Sequence, residues 1–136
     1  MYIRPLSVVR VFLEDQENRI LLLKRQNESY GGGKYCLPGG KVDLGNSLNQ
    51  TAVEELKEET NLEISDLVFL FFQEDLGLEP DGIHCITFYF SAKYQGTIKL
   101  NEESSKYIWV KPENHQNIDI AFSSDTKAIQ EYLKTN

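Results

Sequence analysis

Four glutamates crowd a six-residue stretch of this chain, Glu54, Glu55, Glu58 and Glu59, and only Lys57 offsets them. On a helix turning about 100° per residue, Glu55, Glu58 and Glu59 fall within an arc of roughly 100°. At i,i+3 and i,i+4 spacing these like charges cost the helix about 0.2–0.5 kcal/mol per pair. They also lie in its C-terminal half, where the macrodipole opposes anions. Two readings fit. Glutamate is a good helix former, so the stretch can be a solvated acidic face. Carboxylates converging from one face also suit a hard divalent cation, Mg²⁺ or Mn²⁺, which keeps several waters and bridges to substrate phosphates. The glutamates alone do not decide between them.

The helix that must carry these acids has its boundaries written around it. Ser47 is placed to cap its N-terminus, and Gln50 three residues on completes a capping box. Leu48, Ala52 and Leu56 recur every fourth residue as one apolar stripe. Asn61 stands where a helix ends in the left-handed conformation. Ahead of the cap, the loop over 27–47 holds six of the nine glycines of the chain. Such a concentration signals backbone that a Cβ would forbid, or backbone that approaches a ligand closely.

Around this loop and helix the pattern predicts strands. Residues 6–14 and 20–25 are β-branched and apolar, and the polar run 15–19 between them predicts a hairpin. Residues 67–75 and 84–94 read as central strands joined by a loop over 76–82, and 106–112 as a shorter strand. Residues 123–134 set Ala128, Ile129, Tyr132 and Leu133 on one side of a second amphipathic helix. The sum is an α/β (α+β) sandwich with a mixed β-sheet between helices. No repeat or linker divides the 136 residues, so they are read as a single domain over 1–136.

The bulk composition narrows the partners. Lys and Arg number 14 against 21 Asp and Glu, a formal charge of −7. That argues against a nucleic-acid partner, which needs a basic face. It leaves room for a small phosphorylated ligand screened by a cation. No run approaches the roughly 18 apolar residues of a membrane span, and the N-terminus lacks a signal-peptide layout. Cys36 and Cys85 are far apart without metal-ligand spacing, so they read as ordinary thiols of a cytoplasmic protein. Cys36 and Trp109 are expected to pack, and His84 and His115 have no partner spacing that suggests a ligand.

Read as one unit, residues 39–62 (GGKVDLGNSLNQTAVEELKEETNL) resemble the Nudix box, with Gly40, Glu55, Leu56, Glu58, Glu59 and Leu62 in register. Residues 21–25 and 35–43 resemble the strand and loop that lead into the box. Glu103, six residues before Trp109, resembles the late acid and tryptophan-bearing strand of MutT-like members. Three positions depart from the pattern: Asn46 replaces its first Glu, Glu54 its Arg, and Asn61 its last Gly. The helical angle turns Glu54 about 100° from Glu55, toward solvent.

The resemblance implies a Nudix fold and Mg²⁺-dependent hydrolysis (Mn²⁺ as a substitute) of a phosphoanhydride bond in a nucleoside diphosphate derivative. The short chain favours a nucleoside triphosphate or similar small nucleotide. It implies Gly40, Glu55, Glu58 and Glu59 as metal ligands, and Glu55, Glu58, Glu59 and Glu103 as catalytic. Glu59 is first choice for a bridging ligand and Glu55 for a ligand or base. Glu103 would be a base or extra ligand from a mobile loop. Arg25 and Lys41 are the candidates to meet substrate phosphate, with the strand residue Arg10 a weaker one. Tyr35, Phe88 and Phe90 could stack a base, although strand aromatics are usually core. The alternatives are a Nudix-fold nucleotide-binding module with little or no activity, motivated by Asn46 and Glu54, and an ADP-ribose or nucleotide-sugar pyrophosphatase. Pro80 lies near, but not at, the marker position of ADP-ribose members. Family analogy also gives a homodimer.

Overall fold

A computed structural model of the chain describes residues 4–28, 31–78 and 82–135. The expected loop over 76–82 is therefore described only in part, and Pro80 lies outside the described residues.

Two sheets, not one, form the middle of the molecule. The first is mixed. β1 (Leu6–Phe12) lies between β4 (Gly39–Lys41), antiparallel to it, and β6 (Cys85–Gln95), parallel to it, and β6 pairs antiparallel with β5 (Glu63–Asp75). The second is antiparallel, with β2 (Ile20–Arg25) between β3 (Tyr35–Cys36) and β7 (Ser104–Val110). The expected hairpin of residues 6–14 and 20–25 is thus a corner. The two segments meet at one bridge, Glu14 to Ile20, and then leave into different sheets. The strand expected over 67–75 begins at Glu63 and is an edge strand, while β6 is central as expected.

The split explains the unbroken apolar character of β1 and β2. Val9, Val11 and Leu13 join Leu21 and Leu23 in one core cluster with Ala52, Leu56 and Leu62. Phe12, Ile20 and Leu22 face the other way, into a cluster with Ala128, Ile129 and Tyr132. Helix α1 (Leu48–Thr60) supplies Ala52 and Leu56, and α2 (Ser123–Thr135) supplies Ala128, Ile129 and Tyr132, so the strands are covered on both faces and show no alternation.

The local signals around α1 hold. The Ser47 hydroxyl accepts from Gln50 N–H at 3.0 Å, and Asn61 closes the helix at φ 66°, ψ 6°. The Gln50 side chain does not reach back to the cap. It donates to Glu54 Oε1 at 3.3 Å instead. α2 starts at Ser123 as expected and carries Asp125 into the interior, where the residue is 1% exposed. Asp125 accepts from Leu37 N–H at 3.0 Å and Tyr89 O–H at 2.7 Å, tying α2 to β6 and to the segment that leads into β4. Removing a buried acid with two such bonds leaves both donors unmet. Asp125→Ala is expected to cost about 3 kcal/mol in urea unfolding. A loss under about 1 kcal/mol would show that α2 is held by its apolar face alone.

Candidate active site

The glycine-rich segment is not a loop throughout. It contains β3 and β4, and their pairing places two glycines against the acidic helix. Gly39 has φ 151°, and a Cβ there would sit 1.9 Å from the Val9 carbonyl oxygen. Only glycine allows this approach to β1. The Gly39 N–H donates to Glu59 Oε1 at 2.9 Å. At Gly40 a Cβ would meet the Glu55 carboxyl carbon at 2.5 Å and its oxygens at 2.7 and 2.9 Å. The missing side chain at 40 is thus the space that the Glu55 carboxylate occupies.

Glu103 arrives from the other sheet. It stands one residue before β7, with its N–H on Asn101 Oδ1 at 3.0 Å and its carbonyl accepting from Gln26 N–H at 3.2 Å. The loop expected to be mobile is therefore anchored at this residue. Carboxylate oxygens of Glu55, Glu59 and Glu103 lie within 4.8 Å of one another. Glu58 stays outside this group and is exposed. Its charge still acts on Glu55.

The three acids are costly to ionise together. Burial, then the charges of Glu58, Glu103 and Asp43, push the Glu55 carboxyl up to about 7. Burial pushes Glu59 up to about 8, with Glu103 and Glu55 adding to the rise, against the opposing charge of Arg10 and the Gly39 N–H. Three hard oxygen donors in one place, two of them held partly protonated at neutral pH, fit a divalent cation. Such an ion would replace the protons and remove the repulsion.

The acids line a cleft of about 760 Å³ that runs between the sheets to Phe122 and Ser124 at the start of α2. Arg25 and Lys41 both line it, Lys41 exposed on β4 and Arg25 half-buried at the end of β2. Arg10, the weaker phosphate candidate, lines it as well. Arg10 is 9% exposed, donates to the Leu37 carbonyl at 2.9 Å, and contacts Cys36 Sγ at 4.0 Å. The signal for this burial was available, because an Arg inside Val8-Val9-Arg10-Val11-Phe12 occupies a strand with no exposed face. Arg10 and Arg25 both lie over the Phe122 ring, at 5.3 and 5.1 Å.

The aromatic expectations also shift. Phe90 is buried, Phe88 packs against the first cluster and Tyr35 against the second, so none of the three lines the cleft. Phe122, which the sequence reading passed over, does. Cys36 and Trp109 pack as expected, Trp109 stacked on Tyr94 at 5.8 Å. Glu54 is exposed and accepts from Asn46 Nδ2 at 3.4 Å and Gln50 Nε2 at 3.3 Å. Two of the three departures from the box, Asn46 and Glu54, thus pair with each other on the outer side of α1, and neither joins the three acids.

The NUDIX domain family matches residues 4–132. This chain belongs to that family. An ADP-ribose pyrophosphatase of Methanocaldococcus jannaschii is 29% identical over 98% of this chain and 76% of its own length. The nucleoside triphosphatase NudI of Escherichia coli is 25% identical over 87% of this chain and 92% of its own. The crystal structure of a MutT protein from Methanosarcina mazei superposes with a TM-score of 0.84 at 23% identity, covering 100% of this chain and 99% of that one. The last likeness establishes the Nudix fold. Among the described residues, no helix is long and apolar enough to cross a membrane.

The raised carboxyls carry a definite sign. A group protonated more readily in the folded state than in the unfolded one stabilises the fold at low pH and loses that contribution as pH rises. For Glu59 the window runs from its ordinary 4.5 to about 8. In metal-free buffer, Glu59→Gln should gain stability relative to wild type as pH rises from 5 to 8, read by urea unfolding at each pH. A stability difference flat across that window would mean that Glu59 titrates normally.

Proposed function

We propose that this Nudix protein is a divalent-metal-dependent pyrophosphohydrolase of nucleoside diphosphate derivatives. A nucleoside triphosphate or a similar small nucleotide is the leading substrate. The observation that carries the reading is the meeting of Glu55, Glu59 and Glu103 beside Gly40, in a cleft that also holds arginines. A cluster of acids facing cations suits a ligand that brings both metal and phosphate.

In this proposal Glu55, Glu59 and Glu103 hold the cation, Mg²⁺ or Mn²⁺, with Gly40 giving the Glu55 carboxylate its place. Glu58 adds negative charge from the solvent side. When bound, the cation would neutralise the pyrophosphate and lower the pKa of an attacking water. Arg25 and Lys41 meet the phosphate charge that remains. The proton of the water would go to Glu55 or to Glu103 at the open side of the cluster. The outward pairing of Glu54 with Asn46 favours an enzyme over a non-hydrolysing binding module, because the departures from the box leave the three acids intact.

An ADP-ribose substrate is the second reading. The Methanocaldococcus relative, which this chain matches along nearly all of its length, favours it. Both substrates are cut at a phosphoanhydride, so one panel separates them: (d)NTPs, ADP-ribose, nucleotide sugars and dinucleoside polyphosphates, with and without Mg²⁺. Hydrolysis is expected to require the metal and to be highest on a triphosphate. Glu59→Gln should lose several kcal/mol of transition-state stabilisation, roughly 10²–10³-fold in rate. Gly40→Ala should fold but lose activity, because its methyl displaces the Glu55 carboxylate. Equal rates for Glu59→Gln and wild type would overturn the assignment.

A further inference from the structure

Glu59 is 8% exposed beside Glu55 and Glu103, so its carboxylate form needs a nearby cation. Its own helix does not supply one. Lys57 is the single basic residue of α1, and its ammonium lies 3.7 Å from Glu63, on the exposed side. Glu54, at the position where the box pattern has a basic residue, is acidic and bonded outward to Asn46 and Gln50.

The cation comes from β1. Arg10 pairs in register with Gly39, the residue whose N–H holds Glu59. Its guanidinium is fixed by the Leu37 carbonyl at 2.9 Å, by Cys36 Sγ, and by the Phe122 ring. Leu37 is itself held by Asp125 through its N–H. Asp125 and Glu59 both act on Arg10 through their charges, and Glu55 feels the Arg10 charge as well. The guanidinium therefore belongs electrostatically to both helices.

We propose that Arg10 is the positioning residue for Glu59: from the sheet it supplies the counter-charge that α1 lacks, and keeps the Glu59 carboxylate on the Gly39 N–H. Arg10 then acts on Glu59 through its charge, without touching the reacting atoms, while the Leu37 carbonyl and, behind it, Asp125 on the Leu37 N–H seat its guanidinium from the α2 side. The role rests on the hydrolase reading for its kinetic consequence, but not for its structural one.

The test uses the full chain with Arg10→Gln and Arg10→Lys. Each is assayed in Mg²⁺ on the best nucleotide of the panel, and each is crystallised. Arg10→Gln should lower kcat by about 10-fold or more with KM little changed. Arg10→Lys, which keeps the charge, should recover most of that loss. In the Gln crystal structure the Glu59 carboxylate should have left the Gly39 N–H, and in the Lys structure it should remain. A raised KM with kcat unchanged would make Arg10 a substrate contact and overturn the proposal. Equal losses in the Gln and Lys variants would also overturn it, as would Glu59 still bonded to Gly39 in the Gln structure. If Arg10→Gln does not fold, Arg10→Met, with an apolar side chain of similar length, gives the same two readouts. A wild type inactive on every nucleotide would refute the proposed hydrolysis, yet the position of Glu59 in the variant structures would still decide the role of Arg10.

Discussion

The hydrogen bond from Gly39 N–H to Glu59 is the contact around which the rest of the structure is organised. It needs β4 pressed onto β1 so closely that no side chain fits at residue 39. It needs α1 set against β4 so that Glu59 reaches inward, and Ser47 and Asn61 fix where that helix begins and ends. The Arg10 charge on β1 favours the carboxylate form of the buried Glu59. A buried acid with one backbone donor is poorly solvated by itself.

The split into two sheets serves this arrangement. One sheet carries β4 and β1, with Gly39, Gly40 and Arg10. The other carries β2 and β7, with Arg25 at one strand end and Glu103 just before the other. The cleft between them is acidic at the α1 side and basic near Phe122. A metal–phosphate ligand has the complementary polarity. The bulk charge of −7, which by itself argues against anionic partners, is therefore a poor guide to this cleft.

Features fixed by local chemistry were legible in the sequence. Ser47, Asn61 and the stripe of Leu48, Ala52 and Leu56 act within one or two turns, so the bounds of α1 could be read directly. The shared face of Glu55 and Glu59 was legible for the same reason, since spacing along one helix fixes its faces, whereas Gly40 came from the resemblance to the Nudix box. What failed depended on distant pairing. β3 and β4 span two and three residues, too short to leave a pattern, and exist because β2 and β1 accept them. The turn at 15–19 looked like a hairpin because both flanks are apolar. Which sheet each flank joins is decided by β6 and β7, far along the chain. Phe122 was missed because its place in the cleft is set by how α2 packs against the sheets, not by its own segment.

The central claim is that Glu55, Glu59 and Glu103 form a divalent-cation site. The most direct test is a crystal soaked in Mn²⁺, with anomalous differences recorded at the manganese edge. A peak is expected at coordination distance, about 2.0–2.3 Å, from oxygens of Glu55 and Glu59, with Glu103 in reach. Its loss in a Glu59→Gln crystal soaked in the same way should accompany it. Strong manganese peaks elsewhere on the protein, with none among these three carboxylates, would contradict the claim.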